Sequence, residues 1–418
     1  MTEAGMRASA DRTGRSTLIV GGSLAGLFIG AILHRQGWRV RVFERVAESL
    51  ENRGAGIATH EELFDAFDRA GVTVDSEIGI EILARVGFDK QGRETDRFPY
   101  RQILSSWGTL YRRLRAAMPA DCYRLDAEVV AVDNRTDGAS VRLRDGSVHH
   151  ADLVVGADGI WSVVRAAVCP EAKPGYAGYV AWRGLMPETT VPQEFIQRHA
   201  GIQGFYVERN EQFTLYLVSG ADDDLTPGRR RFGFLWYRAV DEQSELPDLL
   251  TEPDGKRNAM SISPNRIQPA HIARLREEAQ RMLPPDFATV VQRTPHPFLQ
   301  PICDLCSPRI ASGSVALVGD AAFIARPHVG AGVLKAGADA VTLAVALERH
   351  ATVADALAEY ERERLPAGVA MVERSRYLGG YLEGNRRAHD PAPVLPMDEI
   401  LRESGRGLGL PSTERFSK

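Results

Sequence analysis

The chain has little of what would send it to a membrane, a secretory route or a nucleic acid. Four cysteines in 418 residues are too few for a disulfide framework, which agrees with a reducing compartment. No apolar run approaches the roughly 20 residues that span a bilayer, and the N-terminus lacks the apolar block of a secretory signal. Charge is nearly balanced, with a formal net charge of −4 and a pI of about 6.2, so there is no global field to attract nucleic acid. These absences predict a cytoplasmic protein with neither a membrane nor a nucleic-acid partner. Cys303 and Cys306 have C-x-x-C spacing, but no second Cys or His pair follows at the distance of a metal site, so packing is their expected role and no metal is expected. What the chain does have is a hydrophobic content of 44% and enough length for two or three folding units.

Residues 1–15 mix charged and small residues without periodicity and read as a disordered leader. Thr17–Val20 is then a short β-branched run ending in Gly21. After it Leu24, Leu27, Phe28, Ala31 and Ile32 recur at helical spacing, and Val40, Val42 and Phe43 form a second strand ending at Glu44. This is the βαβ unit that binds the ADP half of a dinucleotide. Gly21 provides the sharp turn, Gly26 the close helix–strand approach, and Glu44 stands about 20 residues on, where a carboxylate accepts ribose hydroxyls. The middle glycine of the usual pattern is replaced by Ser23, whose hydroxyl can still donate to a pyrophosphate at the helix N-terminus beside Leu24 and Ala25. A carboxylate at Glu44 would repel the 2′-phosphate of NADPH, which argues against that dinucleotide here, and this motif followed in order by two others makes FAD the expected one, with Arg45 and Arg53 as further contacts.

Two later stretches complete this reading. Leu153-Val154-Val155 leads into Gly156-Ala157-Asp158-Gly159, with Ser162 and Arg165 close behind. Val315–Val318 leads into Gly319-Asp320 and then Arg326-Pro327-His328-Val329-Gly330-Ala331-Gly332. Asp320 is placed to accept ribityl hydroxyls, and the backbone N–H groups at Gly330, Ala331 and Gly332 are placed to stabilise negative charge on the N1 and C2-oxygen edge of a reduced flavin. Between them, 126–148 alternates as a hairpin that should continue the sheet. From Tyr176 on, long strands carrying Trp182, Phe205, Tyr206, Phe213, Tyr216, Phe234 and Trp236 suggest an antiparallel sheet. A helix is predicted from about His271 to Met282, another from Gly332, and helical pattern continues from Ala354 to Arg364.

With these motifs in place, the chain resembles the single-component flavoprotein aromatic hydroxylases, the class of p-hydroxybenzoate hydroxylase, over roughly residues 16–370. The runs Gly21–Gly26, Tyr176–Gly184, Phe298–Ile302 and Ala325–His328 resemble the branch that contains 2,6-dihydroxypyridine 3-monooxygenase. Phe323 stands where many relatives have His. Trp107 stands where many have a cofactor-binding Arg, a role for which Arg112 or Arg113 could substitute.

The resemblance implies an α/β fold, with a Rossmann-like FAD domain interrupted in sequence (16–175 and 298–370), an antiparallel substrate sheet (176–297), and a C-terminal strap or interface segment (371–418). It also implies a homodimer and no second dinucleotide domain, NADH or NADPH binding only transiently. The implied chemistry reduces FAD, adds O2 to give a flavin C4a-hydroperoxide, and transfers its distal oxygen to a small hydroxylated aromatic, an N-heteroaromatic such as a hydroxypyridine. Deprotonation makes such a ring more nucleophilic, so a base or relay is required, and His60, Tyr216 and His328 are the candidates. Arg183 is the candidate for pairing with an anionic substrate. The alternative on the same fold is an FAD-dependent reductase or dehydrogenase without oxygen insertion, and outside enzymes a flavin-binding sensor.

Overall fold

The structure is a computed structural model that describes residues 14–50, 56–74, 78–135, 137–383 and 394–406. Residues 1–13 of the expected leader, Arg53, and the stretches 384–393 and 407–418 of the expected tail lie outside the described residues.

The chain opens with β1 (Ser16–Val20), α1 (Leu24–Arg35) and β2 (Arg39–Phe43) in the expected order. Four of the five residues of β1 are buried, as a central parallel strand covered on both faces requires. Gly21 turns with φ +100°, a left-handed conformation that a side chain disfavours. Next come β3 (Gly56–Ala58), α2 (Glu61–Arg69), β4 (Ile80–Phe88), β5 (Glu94–Ser106), α3 (Trp107–Ala116) and β6 (Tyr123–Arg124). The predicted hairpin is present as β7 (Val129–Arg135), β8 (Gly138–Leu143) and β9 (Val148–Ala151), but it forms its own three-stranded antiparallel sheet and does not continue the first one. β10 (Leu153–Gly156) and the single turn α4 (Arg165–Val168) close this half.

The middle of the chain supplies β11 (Gly175–Pro187), α5 (Gln193–His199), β12 (Ile202–Glu208), β13 (Glu211–Val218), β14 (Arg231–Ala239), α6 (Glu245–Leu249), α7 (Pro269–Met282) and α8 (Pro285–Arg293). It then returns through β15 (Phe298–Cys306), β16 (Ala311–Ser312), β17 (Val315–Leu317) and β18 (Phe323–Ile324) to the long helices α9 (Gly332–Arg349) and α10 (Val353–Gly379), followed by α11 (Met397–Glu403). α10 runs well past residue 370, so the tail begins inside a helix.

Six strands in the order β16-β17-β10-β1-β2-β6 form the sheet of the dinucleotide domain, parallel from β17 to β6. Its register aligns Val20 with Gly156 and Gly156 with Leu317. The three motifs, far apart in sequence, therefore leave the same carboxyl edge side by side, which is where open α/β sheets bind ligands.

Nine strands in the order β18-β15-β11-β14-β13-β12-β4-β5-β3 form the second sheet, antiparallel except between β12 and β4. It recruits strands from before residue 176 and after 297, so it is wider than the sequence suggested. Side-chain alternation splits its aromatic residues between two faces. Phe213, Phe234 and Trp236 pack with Phe287 of α8 and Leu275 of α7 in one apolar cluster. The Phe213 ring stacks on Phe234 at 5.4 Å and on Phe287 at 5.0 Å, contacts worth ~0.5–1.5 kcal/mol each beyond the area they bury. Phe205, Tyr216, Leu235 and Tyr237 occupy the opposite face, with Tyr179 and with Ile400 and Leu401 of α11. That face looks onto the motif edge of the first sheet.

Candidate active site

One cavity of about 380 Å³ joins all three motifs to the second sheet, a size typical of small-molecule sites. Its wall runs from Ser23, Leu24 and Ala25 past Gly159 and Ile160 to Gly319, Asp320 and the Gly330-Ala331-Gly332 turn. It ends in a chamber formed by Arg183, Phe205, Tyr216, Tyr237, Gln300 and His328.

Of the helices that start at this cavity, α3 is capped by Ser106, whereas α1 and α9 start uncapped. Ser23 precedes α1 and Ala331 precedes α9, neither side chain accepts a capping hydrogen bond, and neither first turn contains an acidic residue. Two sets of unpaired N–H groups at positive helix ends thus face one elongated space, an arrangement suited to a ligand with a pyrophosphate at one end and an electron-rich ring edge at the other. The residues present fit FAD. Ser23, Leu24 and Ala25 would hold its pyrophosphate, Asp320 its ribityl chain, and Gly330, Ala331 and Gly332 its flavin edge.

Around the first turn, Gly26 packs so closely that a Cβ there would lie 2.0 Å from the Gly21 carbonyl oxygen. Glu44 is buried at the end of β2, where its carboxylate accepts from the Gly22 N–H at 2.8 Å and the Val46 N–H at 3.1 Å. It thereby fixes the glycine turn. Arg45 is exposed and lies outside the cavity wall. Arg112 pairs with Asp223, and Arg113 reaches the Thr73 carbonyl at 3.4 Å. Neither lines the cavity, whereas Trp107 does, stacked on Tyr111 at 5.1 Å.

Asp158 also stands behind the wall. Its carboxylate accepts from Ser162 Oγ at 2.6 Å and from the N–H groups of Val163 and Val164 at 2.7 and 3.2 Å, so it holds the shape of the loop that presents Gly159 and Ile160. Arg165 then donates to the Ile160 carbonyl at 2.6 Å and the Ala321 carbonyl at 3.1 Å, tying the middle motif to the late one. Asp320 is half exposed into the cavity. Behind it the buried Lys335 ammonium lies 3.6 Å from Asp320 and 3.9 Å from Asp339, while Asp339 accepts from the Gly319 N–H at 2.9 Å and from Arg364 at 2.8 Å.

The chamber is polar in an unusual way. Arg183 donates to Gln300 Oε1 at 2.8 Å, its Nε is buried without a partner, and among the described residues it forms no ion pair. Arg326, also in the wall, is by contrast neutralised by Asp304 and Glu383, each at 2.7 Å. Arg183 is thus a half-buried cation facing the chamber with an amide and no carboxylate to meet it among the described residues. The Tyr216 hydroxyl beside it is fully buried. Burial raises the pKa of that hydroxyl and the Arg183 charge opposes the rise. Its ring fills the space left by Gly56 and Gly233, where a Cβ would come within 2.2 and 2.6 Å.

His328 lines the chamber with Nε2 at 2.9 Å from the Tyr179 hydroxyl and Nδ1 without a partner, its ring packed on Tyr237 at 4.5 Å. Burial, helped by the nearby Arg326 charge, pushes its pKa down to about 3. It is therefore neutral at physiological pH and serves as a hydrogen-bonding group rather than an imidazolium. His60 does not reach the chamber, contrary to the expectation that it acts there. It precedes α2, and its Nε2 contacts the Gly330 carbonyl at 3.2 Å, so it braces the Gly330 loop from behind.

The depressed His328 pKa has a consequence for stability. Between about pH 3 and 6.5 the unfolded chain binds a proton that the folded one does not. Stability contributed by neutral His328 is therefore complete above pH 6.5 and is lost as pH falls, by up to ~1.4 kcal/mol per pH unit. Urea denaturation at pH 7 and pH 5 should show a steeper loss for the wild type than for His328→Phe. Equal losses would mean that the imidazole is solvated in the folded state.

Sequence reasoning passed over Tyr179, Tyr237, Gln300, Lys335 and Gly405. Strand parity could have found some of them, because Arg183 is paired with Leu235 and Leu235 with Thr214, which puts Tyr237, Tyr216 and Gln212 on the same face. Cys303 lines the cavity while Cys306 packs toward the first core, as expected for positions three apart on a strand.

Known proteins match this arrangement along its length. A profile of the FAD binding domain matches residues 15–98 and 302–375, and one described as FAD binding domain-like matches 176–304. The 2,6-dihydroxypyridine 3-monooxygenase of Paenarthrobacter nicotinovorans is 28% identical over 91% of this chain and 96% of its own. The 3-amino-4-hydroxybenzoate 2-monooxygenase of Streptomyces cremeus is 30% identical over 86% of both chains. The solved 2,6-dihydroxypyridine-3-hydroxylase from Arthrobacter nicotinovorans superposes with a TM-score of 0.85 at 26% identity, covering 97% of this chain and 99% of that one. A split FAD-binding domain beneath a broad sheet, shared with these relatives from end to end, makes the chain a member of the FAD-dependent aromatic monooxygenases.

Proposed function

We propose that this monooxygenase hydroxylates a small, already hydroxylated N-heteroaromatic ring, such as a hydroxypyridine, with NADH or NADPH as electron donor. The observation that carries the reading is the unneutralised guanidinium of Arg183 in a chamber walled by rings and amides. A neutral arene has no use for a half-buried cation without a counter-charge, whereas a hydroxypyridine bound as its anion meets the charge and becomes the better nucleophile. The relatives named for hydroxylated aromatic rings, one of them a dihydroxypyridine, support the same class.

The reaction balances as ring–H + O2 + NAD(P)H + H⁺ giving ring–OH + H2O + NAD(P)⁺. FAD, when bound, supplies the electron transfer from nicotinamide and the activation of O2. The protein supplies the rest. Arg183 stabilises the deprotonated ring oxygen and Tyr216 orients it. His328, neutral and fixed by Tyr179, offers a hydrogen-bonding nitrogen near the flavin loop. The apolar faces of Phe205, Leu235 and Tyr237 keep water out. Homodimerisation, a catabolic role and a cytoplasmic location accompany this reading. Among the described residues no helix is long and apolar enough to cross a membrane.

The test is a screen of hydroxypyridines, hydroxynicotinates and phenols for stimulated NADH or NADPH oxidation, with mass analysis for one added oxygen. A hydroxypyridine should give both signals. Stimulated oxidation with oxygen consumed only to peroxide for every ring tried would overturn the substrate class, and oxidised nicotinamide without oxygen uptake would favour a dehydrogenase.

A further inference from the structure

We infer that the C-terminal strap, residues 397–406, is a wall of the substrate chamber, and that Arg85 is the residue that positions it so that activated oxygen ends in product rather than in peroxide. The inference rests on the monooxygenase reading above and concerns a segment that lies outside the three cofactor motifs in sequence.

Ser404 and Gly405 line the cavity. The strap reaches that position by burying Ile400 and Leu401 against Ile82, Leu104 and Tyr216 on the chamber face of the second sheet. At its end the Gly405 N–H donates to the His328 carbonyl at 2.9 Å. The approach is backbone to backbone, since a Cβ on Gly330 would lie 2.6 Å from Gly405 Cα. The strap therefore rests directly on the loop that carries His328 and Gly330.

What holds it there is an uncommon device. Arg85, on β4, is fully buried, and among the described residues it forms no ion pair. Its guanidinium donates to the Leu401 carbonyl at 3.1 Å, the Gly405 carbonyl at 3.1 Å and Gln102 Oε1 at 3.0 Å, and it lies over the Tyr100 ring at 3.8 Å. Gln102 repeats the pattern, donating to the Gly405 carbonyl at 3.2 Å and the Thr59 carbonyl at 3.1 Å. Desolvation pulls the Arg85 pKa down to about 10, far enough above neutrality that it stays charged.

A buried cation without a carboxylate is costly, and an apolar residue would serve a sheet interior as well or better. Here the two terminal nitrogens of the guanidinium donate to the strap's carbonyl oxygens and to the amide that shares one of them, while Nε is buried without a partner. Arg85 is thus a positioning residue, acting through Gly405 on the chamber wall. A loosened wall admits water and leaves the ring poorly placed, and electrons from NAD(P)H then leave as H2O2 by NAD(P)H + H⁺ + O2 giving NAD(P)⁺ + H2O2, which balances without the ring.

The test uses the full-length, FAD-loaded enzyme and two variants, Arg85→Met, which fills the space without a charge, and Gly405→Ala. Gly405 has φ +62° and its Cβ would meet Arg85 Nη2 at 3.3 Å, so this second change strains the strap and leaves the sheet intact. Hydrogen exchange of the peptide containing 397–406 should accelerate about tenfold or more in Arg85→Met, the effect of losing on the order of one or two net hydrogen bonds. Hydroxylated product per NAD(P)H should fall roughly threefold or more in both variants at unchanged FAD content, with the missing equivalents recovered as H2O2.

Faster exchange with wild-type coupling would overturn the wall, and unchanged exchange in Arg85→Met would overturn its positioning role. If Arg85→Met fails to fold, coupling in Gly405→Ala decides. Absence of any hydroxylated product from the wild type would instead be a failure of the monooxygenase reading, visible before a variant is made.

Discussion

Arg183→Met should lower kcat/KM for the hydroxylated ring by about one to two orders of magnitude, the worth of a charge-assisted hydrogen bond of ~1.5–3 kcal/mol. FAD should stay bound, because Arg183 belongs to β11 and the three motifs that line the cofactor end lie on other elements. The pH profile carries the sharper signature. A guanidinium beside the bound ring oxygen favours its anion and lowers its pKa, so removing the charge should move the acid limb of kcat to higher pH.

Tyr216 cannot take over this role. With the opposing charge gone, burial acts on its hydroxyl against only the Gly56 backbone, and its pKa rises further from neutrality. Arg183→Lys should recover part of the loss, since it restores the charge but not the planar fork that reaches Gln300. Unchanged KM and an unmoved acid limb in Arg183→Met would reduce Arg183 to a support for the sheet. The competing explanation is loss of packing, because the guanidinium carbon sits 5.9 Å from the Phe298 ring. That would lower the melting temperature of both variants without shifting the pH profile.

How far the sequence reveals this site depends on the range of the interactions that build it. The βαβ unit is legible because its rules are local. A β-branched run, a glycine at the turn, apolar residues at helical spacing and a terminal Glu44 each announce themselves within a few residues. The late motif is legible for the same reason. Its helix α9 starts at Gly332 as read, and α7 includes the predicted His271–Met282.

The second sheet is less legible. β5 reads Glu-Thr-Asp-Arg-Phe-Pro-Tyr-Arg-Gln, with charges on the exposed side, Pro99 in the middle and register shifts against β4, so it shows no apolar alternation. The residues that give its pairing partner a purpose, Arg85 on β4 and Gln102 on β5 itself, are polar and buried because of a strap three hundred residues away in sequence. No local pattern encodes that contact. The same holds for His60, whose position after a glycine-rich stretch suggested chemistry, while the fold turns it onto the Gly330 carbonyl. The hairpin 129–151 failed in another way, since alternation identifies strands but not the sheet they join.

Gly26→Ala should produce a protein nearly free of FAD, destabilised by about 1–3 kcal/mol, the usual cost of forcing atoms into a packed interior. The obstacle is backbone. The added methyl group would lie 2.0 Å from the Gly21 carbonyl oxygen, and Gly21 cannot retreat because its N–H donates to the Phe43 carbonyl at 2.8 Å between the central strands. α1 must therefore move away from β1, and it takes Ser23, Leu24 and Ala25, the residues at the pyrophosphate end, with it.

Gly30→Ala, one turn further along the same helix, is the matched control. There a Cβ would meet Ile19 Cδ1 and Met118 Cε, each at 3.3 Å, which are ends of side chains that can rotate. The helix-propensity gain of ~1 kcal/mol for replacing glycine offsets that crowding. Visible absorbance per protein and the urea midpoint should thus fall sharply in the first variant and scarcely change in the second. Full flavin occupancy in Gly26→Ala would mean that α1 can shift without disturbing the cofactor, and would remove the first turn from the set of groups that hold it.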